Sequence, residues 1–291
     1  MGEYERQDGN KGRKWGIIMA AAVAVAVAAV AVAIFLTADF FGKETEAETK
    51  MEDLRVEVER TNPPPEPNDG DSGKMPDSAR EETPAPEPLP RNPYADLFVE
   101  NEDMAAWLVV DGTVIDYPVM QTMEDENYYL YRDFHGNEDK AGCLILDTDS
   151  SLYDVEGTAN LIIHGHNMKA GTMFGELDAY KDENYYQEHK HMTLYTRMEK
   201  REYEVIAVFY SQVYYSTDKV FKYYDFFQAG DESKFSEFYT NIKEMSLYDT
   251  GVEAELGDQF LTLSTCTYHV EDGRFVVVAK ETDREERYEA P

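Results

Sequence analysis

Three side chains able to break and remake an acyl bond stand at the ends of strand-like runs. Leu261-Thr262-Leu263-Ser264-Thr265-Cys266 is an apolar run that ends on a thiol. Leu161-Ile162-Ile163-His164-Gly165-His166 is another, and it ends on two imidazoles that flank a glycine. Arg274 opens the next such run, eight residues after the cysteine. A nucleophile at a strand end is held at the rim of a sheet, an imidazole can carry the thiol proton, and a guanidinium can meet an oxyanion. Singly, each has a plainer reading: a strand cysteine as a small core hydrophobe, a histidine as a structural group, an arginine as a surface ion-pair partner. The combination points to acyl transfer. Cys143, inside Gly142–Asp147, reads as a buried thiol. A disulfide between it and Cys266 would consume the nucleophile, so none is expected. Asp147, Asp149 and Asp154 make a loose acidic cluster without the glycine and terminal glutamate of a calcium loop, so neither metal nor cofactor is expected.

The elements that must position these groups are mostly β. Trp107–Val110 and Thr113–Met120 are separated by Asp111-Gly112, a strong hairpin signal. Further strand-like runs cover Gly142–Asp147, Asn160–His164, Met192–Arg197, Tyr203–Tyr210, Gln259–Ser264 and Arg274–Lys280. Seven or eight short strands suggest a barrel or a sandwich. One helix precedes them and another interrupts them. Pro93–Ala106 carries partial helical spacing behind an Asn92-Pro93 start. In Asp231–Ser246, Phe235, Phe238, Tyr239, Ile242 and Met245 follow a helical stripe, with Asp231 or Ser233 as cap.

The rest of the chain reads as an anchor and a tether. Trp15–Leu36 holds no charged residue, and 22 residues reach about 33 Å as a helix, enough to cross a bilayer. Lys11, Arg13 and Lys14 precede it and acidic residues follow, which places the N-terminus in the cytoplasm and the remainder outside. The expected organisation is a cytoplasmic 1–14, a transmembrane signal-anchor at 15–37, a disordered Pro/Glu-rich tether at 38–92 and a catalytic domain at 93–285. Within the tether, Glu46–Arg60 offers a possible helix with Met51, Leu54 and Val58 on one side. The formal net charge of −32, from 59 acidic and 27 basic residues, excludes a nucleic-acid binder that works by neutralising phosphates. It suits a cationic or amine-bearing substrate.

Thr262-Leu263-Ser264-Thr265-Cys266 with Arg274 downstream, and the Gly165-His166-Asn167-Met168 strand end, resemble the signatures of the sortases. Within that family the chain is similar to class B: the anchor is N-terminal, a helix precedes the strands, and a long helix interrupts them before the cysteine. The resemblance covers about residues 93–283. It implies a closed β-barrel of about eight strands with the two helices added, and a membrane-anchored cysteine transpeptidase. Carried over by position, Cys266 would be the nucleophile, His166 the catalytic histidine and Arg274 the oxyanion or substrate-positioning residue. Ser264, Thr265, Asn127, Leu130 and Tyr224 would contact substrate, with Tyr223 a further candidate. His164 departs from the class B pattern, where tyrosine is common, and reads as a packed or hydrogen-bonded residue. The implied reaction cleaves a C-terminal sorting signal of exported surface proteins at a Thr–Gly or Thr–Asn bond. It then passes the acyl group through a thioacyl-enzyme to the amine of a lipid-linked peptidoglycan precursor. The signal would be of the Asn-Pro-x-Thr kind or a relative with Ser or Pro first. Two alternatives remain: a pilin-polymerising ligase that uses a lysine amine, and a non-catalytic surface module. An L,D-transpeptidase is disfavoured because its Ser-His-Gly-Cys-Arg context is absent.

Overall fold

The computed structural model describes residues 26, 28–35, 37, 42, 46–61, 89–153, 158–228, 231–267, 269–284 and 288–289. The chain divides into two units, Met1–Glu48 and Thr49–Pro291. In the first, the described residues between 26 and 37 are helical and exposed. The expected span at 15–37 lies largely outside the described residues, and among the described residues no helix is long and apolar enough to cross a membrane.

The second unit is built on a closed barrel. Its strands are β1 (Met104–Val110), β2 (Asp116–Met120), β3 (Leu144–Leu146), β4 (Asn160–Gly165), β5 (His191–Thr196), β6 (Lys200–Gln212), β7 (Phe260–Cys266) and β8 (Gly273–Asp283), ordered β1-β2-β3-β4-β7-β8-β6-β5. The hairpin at Asp111-Gly112 forms as expected: Gly112 has φ 75°, and the Val110 amide donates to the Ile115 carbonyl at 2.8 Å. Closure of the barrel by β1 against β5 leaves no bare sheet edge there.

Two long-range pairings carry the site. β4 and β7 run parallel in the register His164↔Ser264 and Gly165↔Thr265. β7 and β8 run antiparallel, with Cys266 directly opposite Arg274. Side chains alternate along a strand, so one face of this three-strand wall carries Ile162, Phe260, Val276 and Val278, all buried. The same face, nearer the Cys266 end of the wall, carries His164, Ser264, Cys266 and Arg274.

Helix α4 (Glu232–Met245) covers the apolar part of that face with Phe235, Phe238 and Ile242. Burying each such side chain contributes roughly 1.5–3 kcal/mol. Of the two candidate caps, Asp231 does the work: its carboxylate accepts from the Ser233 and Lys234 amides. Phe226 stacks on Phe238 at 4.4 Å and fastens the preceding loop. The site opens where α4 stops covering the wall.

Three expectations need correction. The helix foreseen over Pro93–Ala106 is α2, only Ala95–Glu100. Asn101 turns out of helix (ψ 108°) because its side chain donates to the Tyr129 hydroxyl and the Phe134 carbonyl, and β1 starts at Met104. Asn92 caps the turn that leads into the helix and not the helix itself: its side-chain oxygen accepts from the Tyr94 amide at 2.9 Å, while its buried amide donates to the Thr196 and Arg197 carbonyls. Within the supposed disordered tether the possible helix of Glu46–Arg60 does form: residues 49–61 are helical (α1), with Met51 and Leu54 buried, so this stretch is ordered. Lys50 pairs with Asp133 and Asp139 at 3.2 and 3.3 Å, and Arg55 donates to the Asp116 and Val114 carbonyls. An apolar stripe flanked by basic residues that meet an acidic surface is enough to hold this segment on the domain. A short helix, α3 (Glu183–Glu188), had no forecast; Asp182 caps it.

Candidate active site

A cleft of about 720 Å3 lies along the open end of the β4–β7–β8 wall. Cys266, His166 and Arg274 all line it. Register explains the convergence. Cys266 ends β7, Arg274 is its cross-strand partner on β8, and His166 follows directly on the last residue of β4, the strand on the other side. Neighbouring strands stand about 4.8 Å apart, so the backbones bearing the three groups are immediate neighbours.

Gly165 separates the two histidines for a steric reason. A Cβ there would stand 2.5 Å from Leu144 Cδ2 and 2.7 Å from Phe174 Cδ2, so only glycine lets β4 lie on that interior while both imidazoles face the cleft. Two side chains then tie the strand ends together. The Thr265 hydroxyl donates to the Gly165 carbonyl at 2.8 Å, and the Asn167 amide donates to the Cys266 carbonyl at 2.9 Å.

Cys266 is exposed and Cys143 buried, both as free thiols. Burial pushes the Cys143 thiol far up, which leaves it chemically quiet. His166 Nε2 lies 2.9 Å from the Leu130 carbonyl. A carbonyl can only accept, so Nε2 carries hydrogen and Nδ1 is the nitrogen free to exchange a proton. Tyr131 lies against the ring with centroids 5.0 Å apart. Burial pulls the His166 pKa below its ordinary value, against the opposing pull of the Leu130 hydrogen bond. The Arg274 Nη1 donates to the Asp272 and Gly273 carbonyls, which steadies the guanidinium at the start of β8.

The five residues expected to touch substrate all line this cleft, but not all with free polar groups. Ser264 and Thr265 are about 1% exposed, and both hydroxyls are committed inward. Ser264 Oγ lies 2.7 Å from the Tyr223 hydroxyl, and Thr265 serves Gly165 as above. Their part is to build the wall. Asn127 is exposed at the cleft edge, and Leu130 contributes its carbonyl to His166 as well as its side chain. Tyr224 points its hydroxyl at the Tyr214 amide, from which it accepts at 2.8 Å. Its neighbour Tyr223 is the buried partner of the floor, and burial pushes its phenol up to about 12.

The acidic grouping also differs from the forecast. Asp154 lies outside the described residues. Asp147 gathers instead with Glu126 and His164, one nitrogen or oxygen of each lying within 4.8 Å of the others. His164 Nε2 and Asp147 Oδ2 are 3.3 Å apart, so His164 is hydrogen-bonded as expected, though it faces the cleft and not the packed interior. The Leu130 carbonyl, the Asn167 tie and Glu126 were all missed. A backbone acceptor leaves no mark in residue type, and Asn167 and Glu126 are ordinary surface residues until register places them.

A closed eight-strand barrel with an accessible cysteine, a histidine and an arginine at one rim is what defines a sortase catalytic domain, and the comparisons agree. The sortase domain model matches residues 108–282. The chain is similar to sortase B of Listeria monocytogenes, at 32% identity over 192 residues, 65% of this chain and 74% of the relative. Among solved structures it is similar to sortase B of Bacillus anthracis, with 32% identity, TM-score 0.56 and coverage of 68% of this chain and 90% of that one. Sortase B of Clostridium perfringens matches at 29% identity and TM-score 0.55, over 65% and 98% of the two chains. The chain belongs to the sortase family, whose members are cysteine transpeptidases acting on surface proteins and peptidoglycan. Its place is with the class B enzymes.

Proposed function

We propose that this enzyme cleaves a sorting signal near the C-terminus of exported proteins at a Thr–Gly or Thr–Asn bond and joins the new acyl end to a peptidoglycan amine. The observation that carries this reading is the Cys266–Arg274 pairing across β7 and β8, with His166 on the adjoining strand end and one cleft in front of all three. The Cys266 thiol gives its proton to His166 Nδ1, and the thiolate sulfur attacks the threonine carbonyl carbon. The carbonyl electron pair moves to oxygen, where the Arg274 guanidinium meets the charge. As the tetrahedral species collapses, the imidazolium returns its proton to the departing amine, and the acyl group remains on sulfur as a thioester. An incoming amine then repeats the sequence in reverse, losing a proton and expelling the thiolate. The Leu130 carbonyl supports this cycle by holding Nε2–H throughout, so the same ring nitrogen faces the reacting atoms in both halves.

The substrate peptide lies along the Asn127–Tyr131 and Tyr223–Tyr224 sides of the cleft in this reading. The signal belongs to the Asn-Pro-x-Thr kind or a relative. Residues 15–37 anchor the enzyme in the cell membrane, with the catalytic domain outside. The uncharged run from Trp15 to Leu36 and the exposed Val30, Ile34 and Phe35 support that placement. Transfer to a lysine amine of a pilin uses the same residues, and the acceptor found on the product separates the two. Cys266→Ala abolishes cleavage of a quenched signal peptide while the circular dichroism of the fold is unchanged. Retained turnover would refute the assignment.

A further inference from the structure

The cycle proposed above leans on one backbone atom, the Leu130 oxygen that holds His166 Nε2–H. Leu130 sits in a 3-10 turn, Tyr128–Tyr131, within the long connection from β2 to β3. Its carbonyl is the middle one of three, and both neighbours are tied to the far end of the same connection. The Tyr129 carbonyl accepts from the Cys143 amide at 2.9 Å, and the Tyr131 carbonyl from the Asp139 amide at 3.0 Å. An antiparallel bridge between Arg132 and Glu138 closes the loop between these ties. The oxygen that meets the histidine is therefore placed by a chain segment that doubles back behind it.

Gly142 is the residue that this doubling-back brings against Leu130. It has φ 61°, and a Cβ there would stand 2.1 Å from the Leu130 oxygen and 2.5 Å from its carbonyl carbon. Ordinary contact begins at 3.4 Å, so a methyl group must drive the oxygen back by roughly 1 Å or more. Gly142 cannot step aside instead, because Cys143 is fully buried and its amide is the one bonded to Tyr129. The outer side of the loop is held separately. Lys50 of α1 meets Asp133 on the limb that follows Leu130 and Asp139 on the limb that leads to Gly142, at 3.2 and 3.3 Å. Each carboxylate also accepts from amides of its own limb, Asp133 from His135 and Asn137, Asp139 from Ala141.

We propose that Gly142 and Lys50 are positioning residues for the catalytic histidine: Gly142 seats the Leu130 carbonyl, Lys50 holds its loop closed, and together they keep the hydrogen on His166 Nε2. The kinetic consequence rests on the transpeptidase reading; the placement of the hydrogen does not. A neutral imidazole carries one hydrogen, and the hydrogen bond made by one nitrogen decides which one bears it. With the Leu130 carbonyl in place, Nδ1 is always the acceptor for the thiol proton. Without it the two tautomers mix and the ring turns more freely about its last torsion, so part of the population cannot act as base. The helix that precedes the catalytic domain thus reaches the reacting histidine through a single side chain and a single carbonyl.

The test compares the full chain with its Gly142→Ala, Lys50→Met and Lys50→Arg variants by the NMR shifts of the His166 ring nitrogens and by cleavage of a quenched signal peptide. The parent should show one neutral tautomer, with hydrogen on Nε2. In Gly142→Ala the tautomers should mix, and kcat should fall about a hundredfold with KM within about twofold, the loss that a misplacement of about 1 Å brings. Lys50→Met should do the same more weakly, about three- to tenfold in kcat. Lys50→Arg keeps the charge and should restore the parent values. Should Gly142→Ala fail to fold, the Lys50 pair decides, since it alters only the half-exposed clamp. A parent-like tautomer and kcat in either folded variant overturns the proposal. So does a loss carried by KM, or a lower Tm with the tautomer and kcat intact, because either marks a merely structural role. If the unaltered enzyme cleaves no signal peptide, the transpeptidase reading fails by itself, and the ring-nitrogen shifts still decide the positioning.

Discussion

Ser264→Ala separates a wall residue from a substrate contact. Ser264 and Tyr223 are each about 1% exposed, and their hydroxyls lie 2.7 Å apart. Alanine removes one partner and leaves a phenol hydroxyl buried without a hydrogen bond, which costs about 1–3 kcal/mol. In a domain of roughly 150–250 residues each kcal/mol moves Tm by about 2–4 °C, so the variant should melt about 2–12 °C lower. Adding Tyr223→Phe removes the orphaned group as well, and the double variant should regain most of the loss. That recovery is a coupling of about 1–2 kcal/mol, within the usual range for contacting residues. The assay is thermal and urea unfolding of the four proteins of the cycle, followed by circular dichroism. A Ser264→Ala protein that melts within 1 °C of its parent, or a double variant less stable than the single, would refute the argument.

Two further outcomes follow from the geometry. Arg274→Lys keeps the charge but loses the planar fork, and cleavage of a signal peptide should fall by about two orders of magnitude in kcat, as for loss of one oxyanion donor; near-normal turnover would show that Arg274 is structural. Tyr131→Ala uncovers the His166 ring, so its NMR titration midpoint should rise towards the ordinary value of about 6.5, from below it in the parent. The sign for stability is fixed by the same shift. The unfolded chain takes up this proton more readily than the folded one, so stability falls as pH drops from about 6.5 through the folded value, and Tyr131→Ala should flatten that slope.

The parts of the fold legible in the sequence were those with a local signal. Asp111-Gly112 marked the hairpin, Phe235, Phe238 and Ile242 marked α4, and apolar runs marked the ends of β4 and β7 within a few residues. The convergence of Cys266, His166 and Arg274 could be suspected from their places at strand ends. Their actual juxtaposition rests on the parallel β4–β7 pairing, a contact across about a hundred residues that no local pattern encodes. The same holds for what local pattern left open. Ser264 and Thr265 line the cleft as expected, yet their hydroxyls are taken up by Tyr223 and the Gly165 carbonyl, partners that only the fold supplies. The possible helix of Glu46–Arg60 was legible from its apolar stripe, but its attachment to the domain was not. Only the acidic surface that meets Lys50, and the backbone carbonyls that meet Arg55, make the segment part of the domain. His164 is hydrogen-bonded as expected, but nothing local announced that its partner would be Asp147, with Glu126 sharing its corner of the cleft.

The most direct test of the account is intact-protein mass spectrometry of the enzyme mixed with a short panel of Asn-Pro-x-Thr-type peptides, without added amine. A thioester on Cys266, heavier by the acyl half of the peptide and absent from Cys266→Ala, is the predicted result. An enzyme that cleaves the peptide yet carries no adduct on Cys266, or carries it on another residue, would contradict it.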